Sequence, residues 1–244
     1  MAVYQGLEAT LHEAFWGDRG SDLEVKDILR LFPDFTGKSL EIGAGSGRII
    51  RPLREAGWDM TGIEPSAEMV AMAEEAGVTG ISPEKLEDYA PAQKYDLILL
   101  TSYVFQLFPD PLDVFKMVSA LLALEGKIYF SVFIPWSEIV GEIPEGDWLI
   151  DDEIKLPTRQ KARCWVNFEL DRIRQRLTRR HRYEILEKMK VVEQTKSVQE
   201  IRYYTLPELE LLLEKAGLKH LETSYEFGEE YDSDAHSMGL VVQG

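Results

Sequence analysis

The stretch that decides the fold is Leu40-Glu41-Ile42-Gly43-Ala44-Gly45-Ser46-Gly47-Arg48, where a short apolar run passes directly into three glycines at alternate positions. Glycines at such a junction let the backbone turn sharply and approach a ligand without an intervening Cβ. The N-terminus of the helix that follows favours a carboxylate or a phosphate. Three glycines exceed what a tight strand-to-helix turn needs, so we interpret the stretch as a ligand-binding loop.

Strand and helix patterns alternate around this loop. Amphipathic helices are predicted at 4–16 and 21–32, and amphipathic helical patterns separate short apolar runs at 38–42, 59–64, 78–81, 95–100 and 127–133. Such alternation predicts an α/β fold with a doubly wound, mostly parallel sheet. A helix opened by Pro207 and two further strands, at 218–225 and 238–242, bring the sheet to seven strands.

The pattern changes after Pro135. Residues 136–158 contain Trp136, Trp148, prolines and many acids, and they are typical of an irregular loop. Residues 159–204 then alternate polar and apolar side chains over long stretches, as antiparallel strands do. We interpret 136–204 as an antiparallel β insertion in the sheet domain.

Composition narrows the function classes. The formal net charge of -16 repels phosphate backbones and anionic membranes, so neither nucleic acid nor a membrane is an expected partner. The chain has no run of 18 apolar residues that would span a bilayer. The single cysteine, Cys164, excludes an internal disulfide framework and fits the reducing cytoplasm.

The glycine spacing separates two cofactor classes. The dinucleotide fingerprint is G-x-G-x-x-G, whose third glycine packs the helix against the strand. Here the spacing is G-x-G-x-G, and Arg48 stands at the position of that third glycine. With Glu41 two residues before Gly43, the stretch resembles motif I of the class I S-adenosylmethionine-dependent methyltransferases. The resemblance implies a Rossmann-like methyltransferase fold and S-adenosylmethionine as cofactor.

The resemblance continues along the chain. Glu64, at the end of the second strand, lies where the family places an acid that binds both ribose hydroxyls, and Met69 would pack near the adenine. The segment 203–218 resembles the late helix of the small-molecule branch of the family. The cofactor-binding residues implied by the resemblance are Arg19, Glu41, Gly43, Ala44, Gly45, Gly47, Glu64, Pro65, Met69, Leu86, Glu87 and Thr101.

Two of these assignments leave alternatives open. In the adenine loop after the third strand, Pro83 has no N–H to offer the base, so a later register that uses Glu84, Leu86 or Glu87 is an alternative. The segment around Arg19 resembles the Arg-Gly-x-Asp segment of sugar N,N-dimethyltransferases, where it would hold the methionine carboxylate. A surface arginine in a loop is the other interpretation.

The methyl acceptor is expected beside the residues that follow the fourth strand. Several relatives carry a histidine there, but this chain has Phe105-Gln106, so no general base is evident and the catalytic residue is unassigned. Tyr103, Phe105, Gln106 and Trp136 are the predicted substrate-binding residues, because they can wall a mostly apolar pocket. Two of the four histidines, His181 and His236, are interpreted as surface residues.

A basic strand is the last feature with two interpretations. Its arginines share one face if the strand is regular, and they are Arg172, Arg174, Arg176, Arg180 and Arg182. They form either a solvated outer face paired with acids or a surface for an anionic substrate.

The sequence therefore predicts one cytoplasmic methyltransferase domain over 1–244 that uses S-adenosylmethionine to N- or O-methylate a small-molecule methyl acceptor. Its parts are N-terminal helices at 1–37, a cofactor-binding core at 38–133, a lid or substrate insertion at 136–204 and a closing helix and strand pair at 205–244. Cofactor binding without turnover, and methylation of tRNA or protein, are the alternatives. The acceptor, the methylated atom and the oligomeric state, a homodimer included, stay open, and no metal is expected.

Overall fold

The computed structural model of the chain describes residues 3–17, 21–229, 231 and 233–244. Its elements in chain order are α1 (Leu7–Thr10), α2 (His12–Trp16), α3 (Ser21–Leu31), β1 (Lys38–Ile42), α4 (Ile50–Glu55), β2 (Asp59–Ile63), α5 (Ala67–Glu75), β3 (Ile81–Ser82), β4 (Tyr95–Leu100), α6 (Pro111–Leu121), β5 (Leu122–Phe133), α7 (Trp136–Ile139), β6 (Leu149–Lys155), β7 (Lys161–Asp171), β8 (Arg176–Glu187), β9 (Lys190–Arg202), α8 (Leu206–Ala216), β10 (Lys219–Tyr225) and β11 (Ser237–Gln243). A short 3-10 turn, Val104–Leu107, follows β4.

Seven strands form the main sheet in the order β10-β11-β5-β4-β1-β2-β3. The strands from β5 to β3 are parallel, and β11 pairs antiparallel with both β5 and β10. The predicted α/β fold with a doubly wound, mostly parallel sheet is confirmed. The central strand β4 is apolar over Leu97–Leu100 because helices cover both of its faces.

Local sequence explains where the helices begin. Ser66 caps α5, since its hydroxyl accepts a hydrogen bond from the Met69 N–H. Thr205 and Glu208 form a reciprocal capping box at the start of α8, and Gly217 ends that helix in the left-handed conformation. These caps fix the chain at the carboxyl ends of β2 and β9.

The insertion forms a separate antiparallel sheet in the order β6-β7-β8-β9. The predicted irregular loop over 136–158 is wrong in part, because it contains α7 and the strand β6, which pairs with β7. The register of that pairing shifts between Ile150 and Asp152, and the shift interrupts the two-residue alternation by which a strand is recognised in sequence.

The expectation of one basic strand over 172–182 is wrong in part, because residues 172–175 form a turn before β8 and Arg172 and Arg174 therefore do not lie on the strand. Four of the five arginines pair with acids. Arg172, Arg174, Arg180 and Arg182 contact Glu145, Asp171, Glu169 and Glu184 respectively. Arg182 also lies over the rings of Trp148 and Trp165. These contacts support the outer-face interpretation. Within the described parts of the chain, no helix is long and apolar enough to span a bilayer.

Candidate active site

One cavity of about 520 Å³ lies at the carboxyl ends of β1, β2 and β4. Residues of the N-terminal helices and of one face of the β6–β9 sheet, here called its concave face, line the other side. Its size is in the range of small-molecule sites, ~300–1,000 Å³. Its described lining includes Tyr4, Trp16, Glu24, Glu41, Gly43, Ala44, Gly45, Arg48, Glu64, Met69, Thr101, Tyr103, Phe133, Glu138, Asp151, Phe168, Arg179, His181, Tyr183, Gln199 and Phe227.

The glycine loop needs glycine for two different reasons. All three glycines adopt positive φ, 73° at Gly43, 54° at Gly45 and 80° at Gly47. A Cβ on Gly43 would lie 2.8 Å from the Val104 side chain, whereas a Cβ on Gly45 would meet only the Met69 Cε, at 3.4 Å. Gly43 is therefore required by packing, and Gly45 leaves open space on the cavity side. Gly47 does not line the cavity, because its Cα faces Val78.

Glu64 connects the loop to β2. Its Oε2 accepts a hydrogen bond from the Gly45 N–H at 3.0 Å, and its Oε1 accepts one from the Ser66 N–H at 2.8 Å. The residue is buried yet lines the cavity, and burial raises the pKa of its carboxyl. The carboxylate thus lies beside the glycine loop with both oxygens oriented by backbone donors.

Two further carboxyls are buried beside the loop. Glu41 Oε1 accepts a hydrogen bond from the Thr101 hydroxyl at 2.5 Å, and its Oε2 has no hydrogen-bond partner among the described residues. Burial raises the pKa of Glu41 to about 8. Glu24, on α3, accepts a hydrogen bond from the Ser102 N–H, and burial raises its pKa to about 7. An unpartnered buried carboxyl oxygen in a cavity wall is suited to a cationic ligand.

The backbone after β4 is strained. Ser102 and Tyr103 both have positive φ, 51° and 64°, although neither is glycine. The Ser102 N–H is held by Glu24, and the Tyr103 N–H donates to the Ser131 Oγ at 3.1 Å. Such strain persists where surrounding contacts enforce it, often at functional sites. Burial raises the pKa of Tyr103, whose side chain lines the cavity, to about 12.

A narrow cleft of about 10 Å³ adjoins the cavity at Gly43. Pro65, Leu86 and Glu87 line this cleft together with Glu84 and Lys85. The predicted adenine-loop residues therefore meet on one side of the glycine loop. In this loop the Glu84 N–H donates to the Ser82 carbonyl at 2.8 Å.

Three predicted substrate-binding residues lie outside the cavity. Phe105 is fully buried among Phe115 and Phe130, so it is core. Gln106 uses its amide on backbone groups, donating to Phe133 and Arg202 carbonyls and accepting from the Phe133 N–H. Trp136 packs on the main core and its Nε1 donates to the Ala235 carbonyl at 3.0 Å. These three side chains are therefore not positioned to contact the acceptor. Arg19 lies outside the described residues.

Several lining residues had no role in the sequence-based prediction. Arg48 donates to the Trp16 carbonyl at 2.7 Å and so ties the glycine loop to the N-terminal helices. Glu24 lies four residues before the buried Ile28 and so belongs to the apolar face of its helix. An acidic residue on such a face is the sequence signal that could have identified Glu24 as a site residue. Arg179 and His181 project from β8 into the cavity, and the expectation of a surface position for His181 is wrong.

The chain resembles methyltransferases of known structure over nearly its whole length. It matches the CcbJ methyltransferase from Streptomyces caelestis with a TM-score of 0.78 and 18% identity, covering 96% of this chain and 94% of that one. It matches the sugar N-methyltransferase KedS8 from Streptoalloteichus sp. ATCC 53650 with a TM-score of 0.72 and 16% identity, covering 99% and 96%. At these identities the likeness shows the fold, which is that of class I S-adenosylmethionine-dependent methyltransferases.

The family described as "Methyltransferase domain" matches residues 15–223, and the chain belongs to this family. Its cofactor is S-adenosylmethionine, as predicted. A ubiquinone biosynthesis O-methyltransferase from Actinobacillus pleuropneumoniae is 31% identical over 108 residues, which are 40% of this chain and 46% of that protein. The chain spans less than half the length of the curated relatives it matches.

The residues present fit this cofactor. The open side of Gly45, the oriented carboxylate of Glu64 and the unpartnered oxygen of Glu41 all face or border one cavity. No group of three or more His, Cys, Asp or Glu side chains that would hold a metal occurs in the described part of the chain.

Proposed function

We propose that the protein transfers the methyl group of S-adenosylmethionine to a basic nitrogen of a small molecule. The observation that carries this proposal is a single cavity that runs from the glycine loop to the concave face of the β6–β9 sheet. Cofactor and acceptor can occupy this space together, with the N-terminal helices and the sheet excluding water from both.

Within the cavity we assign the cofactor to the glycine-loop end. Glu64 would bind the ribose hydroxyls, Met69 would pack against the adenine on the side of Pro65 and Leu86, and Glu41 would face the α-ammonium group. When bound, S-adenosylmethionine supplies an electrophilic methyl group on a cationic sulfur. The protein needs to align the nucleophile and exclude water, and no acid is required for the leaving thioether.

The charge of the cavity favours a nitrogen acceptor. Its described lining holds five carboxyl side chains, Glu24, Glu41, Glu64, Glu138 and Asp151, and two guanidinium groups, Arg48 and Arg179. Burial raises the pKa of Glu24 to about 7 and that of Glu41 to about 8, and a cation bound beside them would favour their ionised forms. Aromatic rings line the acceptor end, among them Tyr103, Phe133, Phe168 and Phe227. Carboxylates and ring faces both attract cations, which an amine acceptor becomes when methylated. One of the similar structures is a sugar N-methyltransferase, which agrees with this assignment.

O-methylation is the second candidate, because the curated relative of 31% identity is an O-methyltransferase. The same cavity accommodates either nucleophile. The decisive difference is whether the product carries its new methyl group on nitrogen or on oxygen. The small-molecule acceptor, the cytoplasmic location and the homodimer stay predictions.

Two measurements test the proposal. Calorimetry with S-adenosylmethionine, S-adenosylhomocysteine and NAD should show binding of the first two only. Incubation with S-adenosylmethionine and glucosamine, cyclohexylamine or catechol should then release S-adenosylhomocysteine with the amines. Methylated catechol alone would favour the second candidate. Cofactor binding with no transfer to any small molecule, or transfer to tRNA or protein in an extract, would contradict the proposal.

A further inference from the structure

His181 lies on the acceptor side of the cavity. It belongs to β8, where alternate residues Arg179, His181 and Tyr183 point to the concave face of the antiparallel sheet. The residue is only 8% exposed, yet it lines the cavity opposite the glycine loop. His181 therefore belongs to a wall of the cavity that contains neither the glycine loop nor Glu64.

One ring nitrogen of this imidazole, the buried Nδ1, has no hydrogen-bond partner among the described residues. Burying a polar group without a partner is costly, and in native proteins such groups are rare. Its neighbours across the sheet do not supply one, because Val166 on β7 is apolar and the Ser197 hydroxyl on β9 donates to Glu8 at 2.7 Å. Because the residue lines the cavity, a molecule bound there can supply a partner for the ring.

Burial, with a smaller effect from a neighbouring positive charge, keeps this imidazole unprotonated. Burial, and then the positive charge of Arg179, lower the pKa of His181 to about 4. Glu138 on α7 is paired with Arg179 at 2.7 Å and offsets part of that charge, so burial is the larger cause of the lowered pKa. Near neutral pH the ring thus has one nitrogen free to accept a hydrogen bond.

The residues after β4 offer no equivalent group, and His12, a second histidine of the described lining, contacts Glu13 through its Nδ1. Gln106 uses its amide on backbone groups, and Phe105 is core. Tyr103 keeps its proton because its pKa is raised to about 12. β8 thus adds a neutral hydrogen-bond acceptor for an incoming N–H or O–H to the carboxyl groups that line the cavity.

We propose that His181 binds the methyl acceptor, and that its unprotonated ring nitrogen accepts a hydrogen bond from an N–H or O–H of that molecule. This inference rests on the proposed function of the same cavity. It assigns acceptor recognition to the antiparallel insertion and leaves the cofactor to the glycine loop. Acceptors whose nitrogen or hydroxyl carries a hydrogen should bind better than their fully alkylated analogues.

Kinetics of two variants give the first test, with glucosamine and cyclohexylamine as probes. His181→Phe should lower kcat/KM by about 10- to 100-fold, the effect of one lost hydrogen bond in a buried site. His181→Gln should restore most of it, since its amide oxygen also accepts. Binding of S-adenosylhomocysteine should be equal in both. The control is His220→Phe, since His220 lies on β10 away from the cavity and contacts Thr223.

Stability and protonation of the free enzyme give a second test that needs no acceptor. His181→Phe should unfold in urea at the same or a higher denaturant concentration, because it removes an unpartnered polar group. NMR of ¹⁵N-labelled histidine, with only four histidines to assign, should show a neutral His181 at pH 6, and Arg179→Gln should raise its pKa.

The outcomes separate the two proposals. Unchanged kcat/KM in His181→Phe, a protonated His181 at pH 6, or a strong loss of stability in His181→Phe would each overturn the role of His181 while leaving methyl transfer intact. Wild-type enzyme that binds the cofactor and methylates neither probe nor catechol would instead contradict the proposed function, and the inference would fall with it.

Discussion

Replacing Glu41 by glutamine tests the electrostatics of the candidate site. The carboxyl is 1% exposed, has one hydrogen bond from Thr101 and has an Oε2 without a partner among the described residues. Burial raises its pKa from 4.5 to about 8. Glutamine keeps the shape and one acceptor oxygen but cannot ionise, so the exchange removes the titration and little else.

The sign and size of the expected stability difference between the wild type and Glu41→Gln follow from proton linkage. Between pH 4.5 and about 8 the folded protein keeps a proton on Glu41 that the unfolded chain has released. The stability of the wild type therefore falls as pH rises through this interval and levels off above it. One pKa unit corresponds to ~1.4 kcal/mol, so the contribution of Glu41 reaches at most ~5 kcal/mol. Relaxation around the ionised group lowers this figure, and ~2–4 kcal/mol is the expected difference.

Urea unfolding of the cofactor-free proteins at pH 5.5 and pH 8.5 measures this difference. The free energy of unfolding of Glu41→Gln, relative to the wild type, should be higher at pH 8.5 than at pH 5.5. Glu55→Gln, at the exposed end of α4, is the control and should follow the wild type. If the wild type and Glu41→Gln show parallel stability curves across this range, Glu41 is already ionised in the folded protein and the reasoning is refuted.

Three further predictions concern the cofactor end. Glu64→Gln should weaken the binding of S-adenosylhomocysteine by ~1.5–3 kcal/mol, the range for hydrogen bonds to a charged group, and the protein should still fold. An unchanged dissociation constant in calorimetry would show that another acid binds the ribose. Gly43→Ala should destabilise the protein more than Gly45→Ala, because only the former adds a 2.8 Å contact with Val104 to the ~1–2 kcal/mol cost of positive φ. Equal urea midpoints would contradict this. Cofactor should slow hydrogen exchange in 3–17 more than in β8, whose amides are already paired on both sides. The opposite order would show that the sheet, and not the N-terminal segment, closes the site.

The cofactor end was predictable because its signals are local in sequence. The glycine spacing, Glu41 and Glu64 lie at strand ends, and a parallel sheet brings those ends together whatever the remainder of the chain does. The bounds of β1 and β4 followed from the same apolar runs, whereas the predicted third strand at 78–81 overlaps β3 only at Ile81 and the fifth strand begins at Leu122 instead of Lys127. Structure then added what sequence spacing does not contain, such as the hydrogen bond from the Gly45 N–H to Glu64.

The acceptor end was not predictable for the opposite reason. Its wall comes from β8 and β9, and which face of those strands points inward depends on how the insertion docks on the N-terminal helices. Arg180 and Arg182 point outward while Arg179 and His181 point into the cavity. Alternation in the sequence shows that they lie on opposite faces of β8 but does not show which face lines the cavity. Phe105 and Gln106 were misassigned because the 3-10 turn after β4 directs them into the core.

The N-terminal segment joins the two ends of the site. The Tyr4 carbonyl accepts a hydrogen bond from Ser66 beside the cofactor loop, and its hydroxyl accepts one from Gln199 on β9. Leu7, Leu11 and Phe15 pack on Cys164 and Tyr183 of the antiparallel sheet. Because no cofactor motif lies in β6–β9, substitutions on its concave face are able to change the acceptor while leaving the glycine loop intact. Substitution of residues such as His181 should therefore change acceptor specificity, and substitution of Glu64 should change cofactor affinity. The two properties should vary independently in binding measurements.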